Sequence, residues 1–580
     1  MLKGSLATLA LIAVSLGLAS SARGASTPER IVFDANVLWH NSQDGITDLP
    51  WAATSGPCTL GTAMTYTTTQ LGTSFFTHNH TNLDPKLVDP FNTTNPRFDP
   101  QLNSPLLCKY VGDAVVLDAH SLDPWFEQTN YVGAVAYREA DPSRDWTTGW
   151  GYFNRNGGLG RTDINYSKPV IILSGLQTTS LNLVNTNNYL LRGKVEMAAG
   201  TTLTIQAGTY LFGEKATTGY LTIDRGAKIM ANGTLSQPIV VTSDQDPSVG
   251  AMAPGDNGGV VIHGRAIANC ANTVAGDSCV SEGGAGYFGG GDDSDNSGKV
   301  RYMRVEYAGK EISPDNELNS WTFNACGTGT DFEYIFASNG FDDMFEWFGG
   351  TMRAKHLLGV EGGDDCLDWQ LGFRGRIQFA CTQQGPRNDK GIEADNSEFN
   401  FSAPFRSNPI ISNITLVGTN PPNTGAGSTN IGVHLRRGTA GTIINSVVLG
   451  FRGPGLQLSD PETFANCPGT APAIFCSPTV TAVDAEQQNM PNKIFMAASP
   501  NPFASMTNIL FGLPKDERNV KAQIFDARGR LVETLAEGPM NRGTHALAWS
   551  PKHDLPGGAY FFRVSSEGGL STSGKLIVVR

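Results

Sequence analysis

Two pairs of adjacent aspartates, Asp342-Asp343 and Asp364-Asp365, stand 22 residues apart, and each is followed by an apolar residue, an acid and a tryptophan: Phe345-Glu346-Trp347 and Leu367-Asp368-Trp369. A looser third copy follows as Asn388-Asp389 and Ile392-Glu393. Carboxylates at this density suit two kinds of chemistry. One is ligation of a hard cation such as calcium, which takes six to eight oxygens. The other is general acid and base work on a glycosidic bond. Like carboxylates about 5 Å apart repel by roughly 1 kcal/mol in water and about 3 kcal/mol at an effective dielectric of 20, so stacking them calls for compensation. Three readings answer that need: calcium held by Asp342, Asp343, Asp364, Asp365 and Asp389; ion pairs with Arg353, Lys355, Arg374, Arg376 and Arg387; or a solvated edge whose turn aspartates cap their own backbone.

A recurrence of 22 residues has a structural source. Between about residues 189 and 458 short β-like runs repeat, among them VRYMRVEYAG at 300, DFEYIFASNG at 331, TMRAKHLLGV at 351, GRIQFACTQQ at 375, IISNITLVGT at 410 and TIINSVVLGF at 442, and Gly, Asn or Asp closes each. Periods of 20 to 50 residues mark a solenoid. Each unit makes one coil of a parallel β-helix, whose strands pair with the coils above and below at about 4.8 Å. In that register Asp342 lies over Asp364, Asp343 over Asp365, Glu346 over Asp368 and Trp347 over Trp369.

The stretches GTTLTIQAG at 200, LTIDRGAKIMANGTLSQPIVVTS at 221 and DDMFEWFGGTMRAKHLLGVEGGDDCLDWQLGFRGRIQF at 342 resemble secreted right-handed β-helix proteins of Gram-negative bacteria over roughly residues 185 to 455. The resemblance implies fold and export, and leaves the chemistry open. The run GDDC at 363, with Asp342 or Asp343 one coil earlier, also resembles the catalytic carboxylates of polygalacturonase-type glycosidases and assigns Asp343, Asp364 and Asp365 as catalytic. The Gly-His-Gly and Arg-Ile-Lys expected of those enzymes are missing, since GPRNDKGIEA at 385 has no histidine. Pectate-lyase chemistry would need an arginine base, drawn from Arg374, Arg376 or Arg387.

At the C-terminus SPNPF, IFDARGRLVETL, HALAW, GGAYFFRV and KLIVVR supply short strands with polar turns. They resemble the sorting domains of type IX secretion and the immunoglobulin-like domain of flagellar hook-capping proteins, which implies the outer-membrane secretion machinery as partner. The predicted fold is all-β: a right-handed parallel β-helix followed by a small Ig-like β-sandwich. The expected order is a signal peptide at 1–22, with an apolar stretch from Leu6 to Leu18 ahead of Ser20-Ser21-Ala22, a β-rich region at 23–188, the β-helix at 189–458, a linker at 459–496 and the sorting sandwich at 497–580.

Nine cysteines suit an oxidising compartment. Disulfides are expected for Cys270 with Cys279 and Cys467 with Cys476, and more weakly for Cys58 with Cys108 and Cys366 with Cys381, leaving Cys326 over. No cysteine–histidine spacing suits zinc, and no cofactor fingerprint appears. A net charge of −12 argues against nucleic acid as partner, and no later run is long enough to cross a bilayer. The tryptophans of WTTGWGYFN at 146 read as core or as a sugar-stacking surface. The whole predicts an extracellular or surface-attached β-helix protein, adhesin-like or glycan-binding, with extracellular polysaccharide as ligand. The alternative is a polysaccharide-degrading hydrolase or lyase.

Overall fold

The structure is a computed structural model. It describes residues 30–39, 41, 51–53, 78–80, 83–110, 112–138, 145–248, 250–270, 279–314, 316–419, 430–466 and 474–476, and 495–579 apart from 500, 502, 504–505, 514, 541–542, 553–554 and 570. The expected signal peptide, Cys58 and Cys467 lie outside these residues. Two compact units form, one of residues 1–108 and 112–478, the other of residues 109–111 and 479–580.

The first unit is built on one 26-stranded sheet wound into a parallel β-helix with three faces. The first face stacks strands such as Thr202–Gln206, Lys228–Asn232, Ile410–Ser412 and Gly441–Ile444. The second stacks Tyr210–Gly213, Ile239–Ser243, Thr415–Val417 and Val447–Leu449. In the middle coils a single bent strand serves both faces, as in Asp331–Ser338, Arg353–Val360 and Arg376–Gln383. The bend falls at Tyr334, His356 and Phe379, each in the left-handed region with φ of 54°, 55° and 60°. Non-glycine residues resist that conformation. Stacking offsets the cost here: the Tyr302, Tyr334, His356 and Phe379 rings follow one another at 4.4, 4.3 and 5.0 Å.

The third face carries the acidic repeat. Trp321–Asn324, Phe345–Phe348, Leu367–Gln370, Ile392–Ala394, Val433–Leu435 and Leu456–Leu458 pair in parallel, with Glu346 opposite Asp368 and Trp347 opposite Trp369, as the spacing predicts. Alternation along each strand sends the aromatic positions inward. Trp347 and Trp369 are fully buried, and Trp347 stacks between Phe323 and Phe373 at 5.5 and 5.4 Å. The intervening acids Glu346, Asp368 and Glu393 therefore project from the outer face.

Residues ahead of the repeat do more than precede it. Ile31–Asp34 pairs with Gly441–Ile444, and Val37–Trp39 with Val447–Leu449, so the N-terminal segment supplies the coil beyond the last one. The chain then returns along the outside: Leu106, Val132, Ala134 and Trp150 pack against Phe336, Leu358, Cys381 and Val447. It enters the first coil at Val170–Gln177, ahead of the expected start at 189. Trp150 is buried, its indole N–H donating to the Trp146 carbonyl, and Trp146 donates to the Ala134 carbonyl. These two tryptophans pack the return segment.

Cys270 and Cys279 are bridged and Cys108 is disulfide-bonded, while Cys326, Cys366 and Cys381 are free and buried. The expected Cys366–Cys381 bridge is thus absent: the two residues stand on different faces of the helix, in the turn before Leu367–Gln370 and within Arg376–Gln383. The second unit contains seven strands in two antiparallel sheets of three and four. Ile509, Phe511 and Leu513 of one sheet meet Val520, Ile524, Phe562 and Val564 of the other in a shared core. Among the described residues no helix is long and apolar enough to cross a membrane.

Candidate functional site

The aspartate pairs occupy the turn that leads into each strand of the third face. Close stacking of these turns depends on glycine: a Cβ on Gly363 would come within 1.4 Å of the Phe341 carbonyl oxygen. One oxygen of each second aspartate is spent on architecture. The Asp365 N–H donates to Asp343 Oδ1 at 2.7 Å, and the Lys390 N–H donates to Asp365 Oδ1 at 2.6 Å. One coil earlier an amide does the same work, with the Asp343 N–H donating to Asn319 Oδ1 at 3.2 Å. The capping anticipated for turn aspartates therefore exists, but it runs from coil to coil.

The remaining oxygens converge. Carboxylate oxygens of Asp342, Asp343 and Asp364 lie within 4.8 Å of one another, and so do those of Asp343, Glu346 and Asp368, of Asp364, Asp365 and Asp389, and of Asp365, Asp368 and Glu393. The five expected cation ligands thus fall in two trios that share Asp364, and Glu346, Asp368 and Glu393 join them from the strands themselves. Asp343 and Asp365 are buried, Asp342 is half-buried and Asp364 is exposed.

Compensation is uneven along this flank. At the downstream end the Lys390 ammonium lies 2.5 Å from Asp389 and 3.9 Å from Asp365 and also contacts Glu393; Arg436 pairs with Glu393 and Asp395, and Arg437 with Asp395 at 2.9 Å. At the upstream end, no ion pair reaches Asp342, Asp343, Glu346 or Asp364 among the described residues. Asp368 Oδ1 is buried there with no hydrogen-bond partner among the described residues. Glu346 accepts from the Asn319 and Gln370 side-chain amides.

Burial, reinforced by neighbouring carboxylates, pushes Asp342 up to about 8 and holds Asp343, Glu346 and Asp368 well above the usual carboxylate range. Burial likewise raises Asp365 to about 8, against the pull of Lys390. Glu282, from the 279–290 loop, is raised to about 8 by burial and then by Asp342, Glu317 and Glu398.

The basic residues expected to neutralise the stack are engaged elsewhere. Arg353 and Arg376 both reach Asp123, at 3.3 and 3.2 Å, Lys355 pairs with Glu127, and Arg374 forks onto Asp293. Arg387 donates to the Gly340 carbonyl at 2.7 Å. Arg353, Lys355 and Arg376 stand on the first-face part of their strands, a consequence of the bend at His356 and Phe379 that periodicity alone conceals, while Arg374 and Arg387 lie in the segments before and after Arg376–Gln383. Lys390, Arg436 and Glu282 went unrecognised for a related reason, since each reaches the flank from a turn or an inserted loop.

A second concavity, of about 860 Å³, lies on the second face between the 149–168 segment and the early coils, lined by Tyr152, Lys168, Tyr210, Gln237 and Arg304. Its arginines are already committed, Arg161 and Arg304 each contacting both Asp163 and Glu306.

Comparison with protein families assigns both units. The pectate-lyase-like beta-helix domain family matches residues 175–507. The chain belongs to this family. A secretion system C-terminal sorting domain matches residues 498–579, which implies the type IX secretion machinery and delivery to the cell surface or the extracellular space. No curated protein sequence matches the chain. Among solved structures the chain is similar to the enzymatically active domains of bacteriophage CBA120 tailspike protein 2 (10% identity, 67% of this chain and 72% of that one, TM-score 0.22) and tailspike protein 4 (10% identity, 70% and 62%, TM-score 0.18).

Proposed function

We propose that this exported β-helix protein binds an extended polysaccharide along its acidic flank, through a divalent cation, calcium, held at the upstream end. The observation that carries this reading is the uneven compensation: Asp342, Asp343 and Glu346 have no ion pair among the described residues, whereas Asp389 and Glu393 downstream have Lys390 and Arg436. Asp342, Asp343 and Asp364 would be the first ligands, and Asp343 also converges with Glu346 and Asp368. An all-oxygen set suits calcium, and sugar hydroxyls or uronate carboxylates would complete its coordination. Bound calcium would offset the mutual repulsion and draw the raised carboxyls into their ionised form.

Titration calorimetry on chelator-treated protein tests the reading. We expect calcium binding, and retention of an acidic polysaccharide only when calcium is present. Asp343→Asn with Asp364→Asn should abolish both, and calcium-independent retention would overturn the proposal. A hydrolytic reading with Asp343, Asp364 and Asp365 draws support from the raised Asp365 carboxyl beside an exposed Asp364. Against an inverting form of it stands the closeness of Asp364 to both Asp343 and Asp365, because inverting enzymes hold their two carboxyl groups roughly 6.5 to 9.5 Å apart to admit water. Reducing-sugar release abolished by Asp365→Asn would decide for hydrolysis.

A further inference from the structure

The two ends of the β-helix are finished differently. At the far end, the strands Ile31–Asp34 and Val37–Trp39 lie over the last repeat coil, and all their residues except Trp39 are buried. At the near end, Val170–Gln177 pairs on one side with Asn188–Met197, and Leu181–Leu183 with Leu203–Ile205; on the other side neither has a strand partner among the described residues. Val170, Ile171, Ile172 and Leu176 are 55%, 40%, 50% and 56% exposed. One coil further in, the residue paired with Ile171 is Tyr189, which is buried. Ile171 thus has the environment of an interior residue whose covering layer is missing.

Natural proteins protect such edges with lysine, proline, bulges or a covering segment. Here the run VIILSGLQTTSLNL, residues 170–183, contains no charged residue and no proline, in a chain of net charge −12. Lateral contact between two such acidic molecules is opposed by their charge. Contact through this end sets no like charges opposite each other.

We propose that two copies of this chain associate end to end, the Val170–Gln177 edge of one pairing antiparallel with the same edge of the other about a two-fold axis. Because the side chains that finish the far end are buried, head-to-tail contact meets no matching apolar edge there, and the contact closes at the dimer. Each strand hydrogen-bonds across the axis, and the four exposed apolar side chains are covered by their counterparts. The two acidic flanks then extend in opposite directions from the junction, which doubles the length of polysaccharide a single particle can contact.

Sedimentation velocity on the full mature chain, from about 1 to about 100 µM, is the test, with hydrogen exchange followed at residues 170–177. A concentration-dependent dimer is expected, with amides of 170–177 slowing as it forms. Ile172→Lys, at a half-exposed position outside the core, should weaken dimerisation at least tenfold, while Leu235→Lys, at an equally exposed site in the turn before Ile239–Ser243, should leave it unchanged. A protein monomeric throughout the range would overturn the proposal. So would a dimer indifferent to Ile172→Lys, or assemblies that grow without limit. Edge amides already slow in the monomer would show a segment of the same chain covering the edge, and would also overturn it. Calcium binding measured on Ile172→Lys separates this outcome from failure of the acidic flank.

Discussion

Replacing Lys390 with methionine isolates the electrostatic logic of the acidic flank. Its ammonium sits among Asp365, Asp389 and Glu393 on a residue only 7% exposed, and methionine keeps most of the aliphatic stem. At an effective dielectric of 20, attraction across the 3.9 Å to Asp365 is about 4 kcal/mol, and the two closer carboxylates bring the gross sum above roughly 10 kcal/mol. Desolvation cancels most of this, and breaking a buried pair by removing one partner costs about 3–5 kcal/mol net. Scanning calorimetry in chelator should therefore show a melting temperature lowered by roughly 5 to 10 °C, at about 2 °C per kcal/mol for a unit of this size. Calcium should restore more stability to the variant than to the parent, because a cation can then serve both ends of the flank. A loss below about 1 kcal/mol, or a calcium response no larger than that of the parent, would refute the idea that the stacked acids need a counter-charge.

Other consequences follow from individual contacts. Trp347→Ala should cost about 3–5 kcal/mol in denaturant unfolding, since it empties a rung between Phe323 and Phe373. Gly363→Ala should separate two turns that nearly touch, lowering both stability and calcium affinity in the same titrations. Deleting residues 30–41 uncovers the Gly441–Ile444 and Val447–Leu449 edges and should produce aggregation visible by light scattering, with the sorting unit still folded by its own thermal transition. Removing residues 497–580 should leave the β-helix retained within the cell envelope, and surface delivery undiminished in fractionated cells would contradict the sorting role.

Much of this architecture was legible because a parallel β-helix converts sequence spacing into vertical distance. The step of 22 residues from Phe345-Glu346-Trp347 to Leu367-Asp368-Trp369 sufficed to pair them, whereas the direction in which the acids point was left open until the buried tryptophans placed them on the outer side. Three features escaped for physical reasons. The bend within Arg353–Val360 divides one apparent strand between two faces, so Arg353 and Lys355 turn to Asp123 and Glu127 and away from the stacked aspartates. Ile31–Trp39 pairs with residues some 410 positions later, a closure that no local pattern encodes. Lys390 and Arg436 neutralise acids from neighbouring coils, and their roles emerge only when insertions between coils are placed in space.

The divalent cation proposed for the upstream end of the acidic flank can be sought directly. Crystals grown with calcium and soaked in terbium, whose anomalous signal marks the same oxygen-rich sites, would test it most directly. One strong peak is expected, bounded by Asp342, Asp343 and Asp364 and lost in the Asp343→Asn variant. A map with no peak there at saturating terbium, and with peaks only at other carboxylates, would contradict it.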